Sequence, residues 1–188
     1  MVGTMKKALK VLFAINGVFV LGAHLLGPLY AVFVNQELGG TALIVSLSWA
    51  VFIISTLFFM LVAAKYGDRF KERELLLGMG FLIRAVCWGA YIFVTNIYGL
   101  LAVQVLLGLG EALGTPAFNA LLAQHVNQKK AVREYSVWAI ISRIAAAVAT
   151  VVGGVVVTTI GFTPLFAIMM VLSIVAFIIL IKQPRSLL

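Results

Sequence analysis

Six long apolar runs separated by short polar segments constrain the fold of this 188-residue chain more than any other feature. Each run reaches the length of about 17 residues that a helix needs to cross a bilayer. The apolar residues are continuous rather than alternating, and an open strand would leave backbone groups unpaired in lipid. We therefore predict an all-α membrane protein with six transmembrane helices. The predicted spans are Val11–Val34, Thr41–Ala64, Leu75–Val94, Ile97–Ala123, Tyr135–Ile160 and Thr163–Ile181.

The composition agrees with a membrane protein. Hydrophobic residues make up 63% of the chain and charged residues only 11%, whereas a soluble domain carries about 25% charged residues. The first apolar run is not followed by a small-residue cleavage site, which favours a retained helix over a cleaved signal peptide. No linker or low-complexity stretch divides the sequence, so we expect residues 1–188 to form a single six-helix transmembrane domain.

The fourteen lysines and arginines are distributed unevenly between the two sides of the predicted bundle. All except Arg84 and Arg143 lie at the termini or in the loops that join spans 2 and 3 and spans 4 and 5. The opposite loops, 35–40, 95–96 and 161–162, contain none. The positive-inside rule therefore predicts a protein of the cytoplasmic membrane, in contact with lipid, with both termini in the cytoplasm. Membrane topology also accounts for the net charge of +8 without a nucleic-acid partner.

Spans 1 and 4 contain related sequences around an ionisable residue and a proline. Span 1 reads G-A-H-L-L-G-P over residues 22–28, and span 4 reads G-L-G-E-A-L-G-T-P over residues 108–116. The ionisable residues are His24 and Glu111, and each precedes a glycine by three positions. Span 1 runs outward and span 4 inward, so a three-helix unit repeated with inverted topology accounts for the pattern. We expect two inverted three-helix repeats, with spans 1 and 4 beside a central cavity and spans 3 and 6 outermost.

The loop between spans 2 and 3 reads A-K-Y-G-D-R-F-K-E-R over residues 64–73. It resembles the signature G-x-L-A-D-R-x-G-R-R of the major facilitator superfamily, which it matches at Asp68, Arg69 and Arg73. Span 4 is also similar to that family through Gln104, where members commonly carry arginine, and the glycines that follow it. Span 5 lacks the proline of the family's antiporter signature.

The resemblance covers the whole chain but only half of the family's usual twelve helices. A half-domain of that family is itself a 3+3 inverted repeat. The resemblance implies an N-terminal-half-like, half-size secondary transporter that moves a small solute by alternating access, without a cofactor. Residues that match Asp68, Arg69 and Arg73 hold the cytoplasmic ends of the two halves together in the family. These three residues are therefore the gating candidates.

Ionisable side chains at membrane depth are candidates for substrate or proton binding, because each charge there costs at least about 2.5–3.5 kcal/mol. Glu111 is the only carboxylate within a span, and it shares a helix face with Gln104. Proton or substrate binding and a structural ion pair with Arg84 or Arg143 are both compatible with Glu111, and we favour a structural pair for Arg84. The candidate substrate- or proton-binding residues are Glu111, His24, Gln104, Arg143, Asn16 and Asn119.

The tyrosines lie near the ends of the predicted spans, where anchoring at the membrane interface is their ordinary role. We expect that role for Tyr30, Tyr91, Tyr98 and Tyr135.

Enzymatic activity is not expected. Asp68 is the only aspartate, which excludes an intramembrane aspartyl protease and an aspartate-rich phosphotransferase site. The single cysteine, Cys87, allows no cysteine-rich metal site, and we predict neither catalytic residues nor a metal. Two interpretations remain: half of a facilitator-type transporter, and a six-helix substrate-capture component of an energy-coupling-factor transporter. The loop around Asp68 favours the first, and copurification with an ATPase would favour the second.

A single facilitator half would expose the polar face around Glu111 to lipid, at a cost of several kcal/mol. We therefore expect a parallel homodimer, or assembly with a second half-transporter chain. The remaining alternative is that the sequence is a fragment of a twelve-helix parent.

Overall fold

The structure is a computed structural model, and it describes residues 5–66 and 72–184. Within these ranges six helices are long and apolar enough to cross a membrane, which confirms the six predicted spans. Helices α1 and α2 together form the first span, and α3 to α7 form the others. The helices are α1 (Lys7–Leu26), α2 (Tyr30–Leu38), α3 (Ala42–Tyr66), α4 (Arg73–Tyr91), α5 (Ile97–His125), α6 (Ala131–Ile160) and α7 (Phe162–Ile181).

The helix ends follow from local sequence. Gly39 ends α2 in the left-handed conformation, with φ of 61°, which an L side chain rarely adopts. Asn96 caps α5 by accepting a hydrogen bond from the backbone N–H of Gly99 at 2.9 Å. Pro28 interrupts the first span, where residues Gly27–Leu29 form a turn of 3₁₀-helix. Pro116 lies inside α5, which continues through it.

The helices pack in an arc in the order α3, α5, α4, α7, α1, α6. Within the described residues, the two end helices of the arc share no extensive contact with each other. Exchanging spans 1, 2 and 3 for spans 4, 5 and 6 converts the α1–α6 contact into α5–α3 and the α1–α7 contact into α5–α4. The contacts therefore have the symmetry that an inverted three-helix repeat requires.

Glycines allow close approach at the crossings that this symmetry relates. A methyl group added to Gly108 of α5 would lie 2.7 Å from Ser55 Cβ of α3. The corresponding contact between α6 and α1 is tighter, since a methyl group on Gly153 would lie 2.0 Å from the carbonyl oxygen of Leu25. At the α4–α5 crossing, Gly80 lies directly against the backbone of α5. Small residues thus bring the helices together, as is usual in membranes.

Exposure along the arc is highest at its two ends. Helices α4 and α7 pack on each other and on α5 and α1, whereas α3 and α6 are the least buried spans. The reason is their position at the ends of the arc, where each has an extensive helix contact on one side.

Two of the four tyrosines differ from the expectation that they anchor the protein at the membrane interface. Tyr30 and Tyr91 are buried, and Tyr91 packs against the rings of Phe33 and Phe166. The other two, Tyr98 and Tyr135, are exposed.

Candidate functional site

A cavity of about 440 Å³ lies between α1 and α5, which pack extensively on other helices but little on each other. These two helices carry most of the polar groups of the cavity, as expected for spans 1 and 4. The remaining walls come from all the other spans and are largely aromatic. The lining includes Asn16, Phe19, His24, Tyr30, Trp49, Phe52, Arg84, Trp88, Gln104, Glu111, Thr115, Phe118, Asn119 and Trp138.

Glu111 forms an ion pair with Arg84, whose Nη2 donates a hydrogen bond to Glu111 Oε2. The other carboxylate oxygen, Oε1, accepts a hydrogen bond from the hydroxyl of Thr115, one turn further along α5. The side chain of Arg84 is 7% exposed and that of Glu111 is 31% exposed. The carboxylate therefore reaches further into accessible space than its partner does. Of the two arginines considered as partners for Glu111, the structure selects Arg84.

The side chain of Arg84 lies between an aromatic ring and a stretch of α5 where glycines leave room for it. Its Cζ is 4.6 Å from the centroid of the Phe19 ring, in cation–π geometry. On the other side, a methyl group added to Gly110 would lie 3.0 Å from Arg84 Cγ, and one added to Gly114 would lie 3.3 Å from Nη1. The two glycines of α5 thus make room for the arginine side chain of α4.

A second polar network connects the two repeats at one end of the cavity. Gln104 Nε2 donates a hydrogen bond to Tyr30 Oη at 2.5 Å, and the tyrosine hydroxyl donates to Ser48 Oγ at 2.6 Å. Ser48 in turn donates to the carbonyl oxygen of Val45. All three side chains are buried, so the network joins α2, α3 and α5 through satisfied polar groups.

The remaining lining candidates are more accessible. His24 is exposed, and its Nδ1 lies 2.9 Å from the carbonyl oxygen of Val20. Because a carbonyl only accepts, Nδ1 is the donor in this contact. Asn16 is half-buried and Asn119 is exposed. The structure thus brings five of the six candidate binding residues to the cavity.

Arg143 is the exception, and the expectation that it takes part in binding stays a prediction. It is exposed on α6 and does not line the cavity. The helical phase explains this, because α6 packs through Ala149 and Gly153, which share a face that Arg143 does not. Among the gating candidates, Arg73 is the exposed first residue of α4, while Asp68 and Arg69 lie outside the described residues.

Sequence reasoning missed several residues of the site. Tyr30 was expected to be an interfacial anchor, and Ser48 was not a site candidate. Only the packing of α2 against α3 brings them together. Thr115 offered a signal, because its position four residues after Glu111 places both side chains on one helix face. The tryptophans offered a weaker signal, since aromatic residues in membrane helices are mostly packing residues.

Comparisons with known proteins agree with this architecture. The sequence profile of the Major Facilitator Superfamily matches residues 12–187. The chain is 28% identical over 127 residues to the Methylenomycin A resistance protein of Bacillus subtilis (strain 168). That alignment spans 64% of this chain and 26% of the relative.

The fold is similar to that of PepTSo, a POT family transporter solved in meso, with a TM-score of 0.81 and 16% sequence identity. The match covers 94% of this chain and 37% of that protein, so this chain spans less than half the length of the proteins it matches.

A six-helix bundle with an inverted repeat and a polar cavity between its first and fourth spans is the architecture of half a membrane transporter. The chain belongs to the major facilitator superfamily, because the family profile matches almost its whole length. It is a multi-pass membrane protein of that family.

Proposed function

We propose that this chain moves a small solute across the cytoplasmic membrane by alternating access, through the cavity between α1 and α5. The observation that carries the proposal is the convergence of polar groups from both repeats on one cavity in an otherwise apolar bundle. Ligand sites in transporters of this type lie at such repeat interfaces. A volume of about 440 Å³ falls in the range of small-molecule sites.

We further propose that transport is coupled to protons through Glu111. Its carboxylate is the ionisable group of α5 in the cavity, and it lies next to a buried cation and a hydroxyl. Glu111→Gln keeps the shape of the side chain but removes its titration. We expect a pH gradient to drive solute accumulation in proteoliposomes containing the parent chain but not the variant, while exchange of solute at equal pH is retained. Unchanged gradient-driven accumulation by the variant would contradict proton coupling.

A second six-helix unit is proposed to cover the open side of the arc. Exposed faces of α3 and α6 flank that side, and His24 and Asn119 would otherwise meet lipid. The second unit is another copy of this chain in parallel orientation, or a second half-transporter sequence. In either case Arg143, which is exposed on α6, takes part in binding only across the junction between units. Residues 1–188 then act as one six-helix domain within the pair.

Both termini are proposed to be cytoplasmic, which places Arg73 and the adjoining Asp68 and Arg69 at the cytoplasmic edge. There they serve as the gating contacts between the two units. A cysteine introduced at exposed Lys129 should react with impermeant reagents from the cytoplasmic side only, and one at exposed Glu37 from the outer side only. The reverse pattern would overturn the orientation.

A further inference from the structure

Arg84 depends on an anionic partner more than any other side chain that lines the cavity. Its side chain is 7% exposed, compared with 31% for Glu111. Removing one member of a buried ion pair leaves an uncompensated charge, which is strongly unfavourable. Arg84, the more deeply buried member of the pair, therefore determines what can replace Glu111. Anything that displaces Glu111 from Arg84 must supply an anionic group in its place.

We propose that the cavity takes solutes with an anionic group on an aromatic or apolar body, and that this group replaces Glu111 on Arg84 when Glu111 binds a proton. The inference rests on the proposed function for the cavity as the solute site. A cationic solute is disfavoured by the same rule, because drawing Glu111 toward a cation would leave Arg84 buried without an anion.

The surroundings of the pair suit such an exchange. Arg84 itself lines the cavity, held by the Phe19 ring on one side and by the glycines of α5 on the other. Its position therefore does not depend on Glu111 alone. The hydroxyl of Thr115 gives a protonated Glu111 a polar partner away from Arg84. The apolar part of the solute would lie against Trp49, Phe52, Trp88, Phe118 and Trp138.

Charge balance makes the exchange cooperative. One proton on Glu111 and one monoanion on Arg84 enter together with no change in the net charge of the site. The titratable groups that face the cavity with Glu111 are Arg84 from α4, Tyr91 at the end of α4, His24 from α1 and Tyr30 from α2. Helices α3, α6 and α7 contribute Trp49, Phe52, Trp138 and Met169, which carry no charge. Protonation of Glu111 is thus the event that releases the arginine.

The chain has a built-in reporter for this test. It contains three tryptophans, and all three, Trp49, Trp88 and Trp138, line the cavity. Intrinsic tryptophan fluorescence therefore responds to ligands at this site. A suitable probe is cyclohexylmethanesulfonate, which stays ionised across the whole working pH range and does not absorb or emit in the tryptophan band. The matched controls are the uncharged cyclohexylmethanesulfonamide and the cation cyclohexylmethylammonium.

Titrations of the purified chain in nanodiscs should show tighter binding of the sulfonate as the pH falls, with little change for the sulfonamide. In Glu111→Gln the sulfonate should bind at least about tenfold tighter than in the parent chain at neutral pH, because no carboxylate competes for Arg84. The pH dependence should also disappear. The double variant Arg84→Gln/Glu111→Gln, which has the same net charge as the intact pair, should bind sulfonate and sulfonamide equally.

Three results would overturn the inference: equal binding of sulfonate and sulfonamide by Glu111→Gln, preference for the ammonium probe, or a sulfonate preference that survives in the double variant. Transport of an uncharged solute without sulfonate preference would also overturn it, yet would leave the proposed function standing. Sulfonate preference with the predicted pH dependence, in a chain that transports nothing after reconstitution with its partner unit, would support the anion site and contradict the proposed function.

Discussion

At the scale of single residues, the site depends on where polar groups find partners in an apolar bundle. Gln104 is 2% exposed, and the hydroxyl of Tyr30 accepts its hydrogen bond. A buried donor that loses its acceptor costs about 1–3 kcal/mol, whereas replacing both partners by apolar groups is nearly neutral. The network of Tyr30, Ser48 and Gln104 is therefore expected to be sensitive to removal of one member at a time.

Tyr30→Phe should lower stability by about 1–3 kcal/mol, because it leaves the Gln104 amide without an acceptor. Adding Gln104→Leu to that variant should restore part of the loss. Tyr98→Phe, at a position 85% exposed, is the matched control and should change nothing. Labelling of the buried single cysteine, Cys87, during heating reports unfolding in each variant. Equal melting temperatures for the two tyrosine variants would contradict the role given to the network.

At the scale of helices, the crossings are set by glycines rather than by large apolar side chains. Gly153→Ala would place a methyl group 2.0 Å from the carbonyl oxygen of Leu25, so α1 and α6 must separate. Overpacking of this kind costs about 1–3 kcal/mol. Gly154→Ala is the control, because nothing lies within 4 Å of the added methyl group and alanine favours helix. Thermal unfolding in detergent should show a lower melting temperature for the first variant only, and a similar loss in both would contradict the assigned crossing.

The sequence determined the spans well, because length and apolarity alone decide whether a helix can cross a bilayer. The second span, for example, was predicted at Thr41–Ala64 and found at Ala42–Tyr66. The cavity between spans 1 and 4 was predictable from the inverted repeat. The choice of Arg84 over Arg143 as the partner of Glu111 was not, because it depends on how α4 is rotated against the glycines of α5.

At the scale of the whole molecule, the described helices form an arc with its two ends uncovered. A twofold axis along the membrane normal would bring α3 of one copy against α6 of the other at both junctions and close the cavity. Ile53 lies one turn from the cavity residue Trp49 on α3 and is exposed. Ala147 lies one turn from Arg143 on α6 and is also exposed. It lies about as far from the end of α6 at Ile160 as Ile53 lies from the start of α3 at Ala42.

Crosslinking between Ile53→Cys and Ala147→Cys in native membranes tests the two-unit account most directly. The matched pair Ile54→Cys and Val148→Cys lies at the same depth and is also exposed, but each position is turned by about 100° around its helix from the first pair. The parent chain controls for buried Cys87. A short bifunctional thiol reagent should link the first pair into a covalent dimer and leave the second pair and the parent monomeric. Monomer from the first pair, or equal dimer from both pairs, would contradict a homodimer that shares its cavity between α3 and α6.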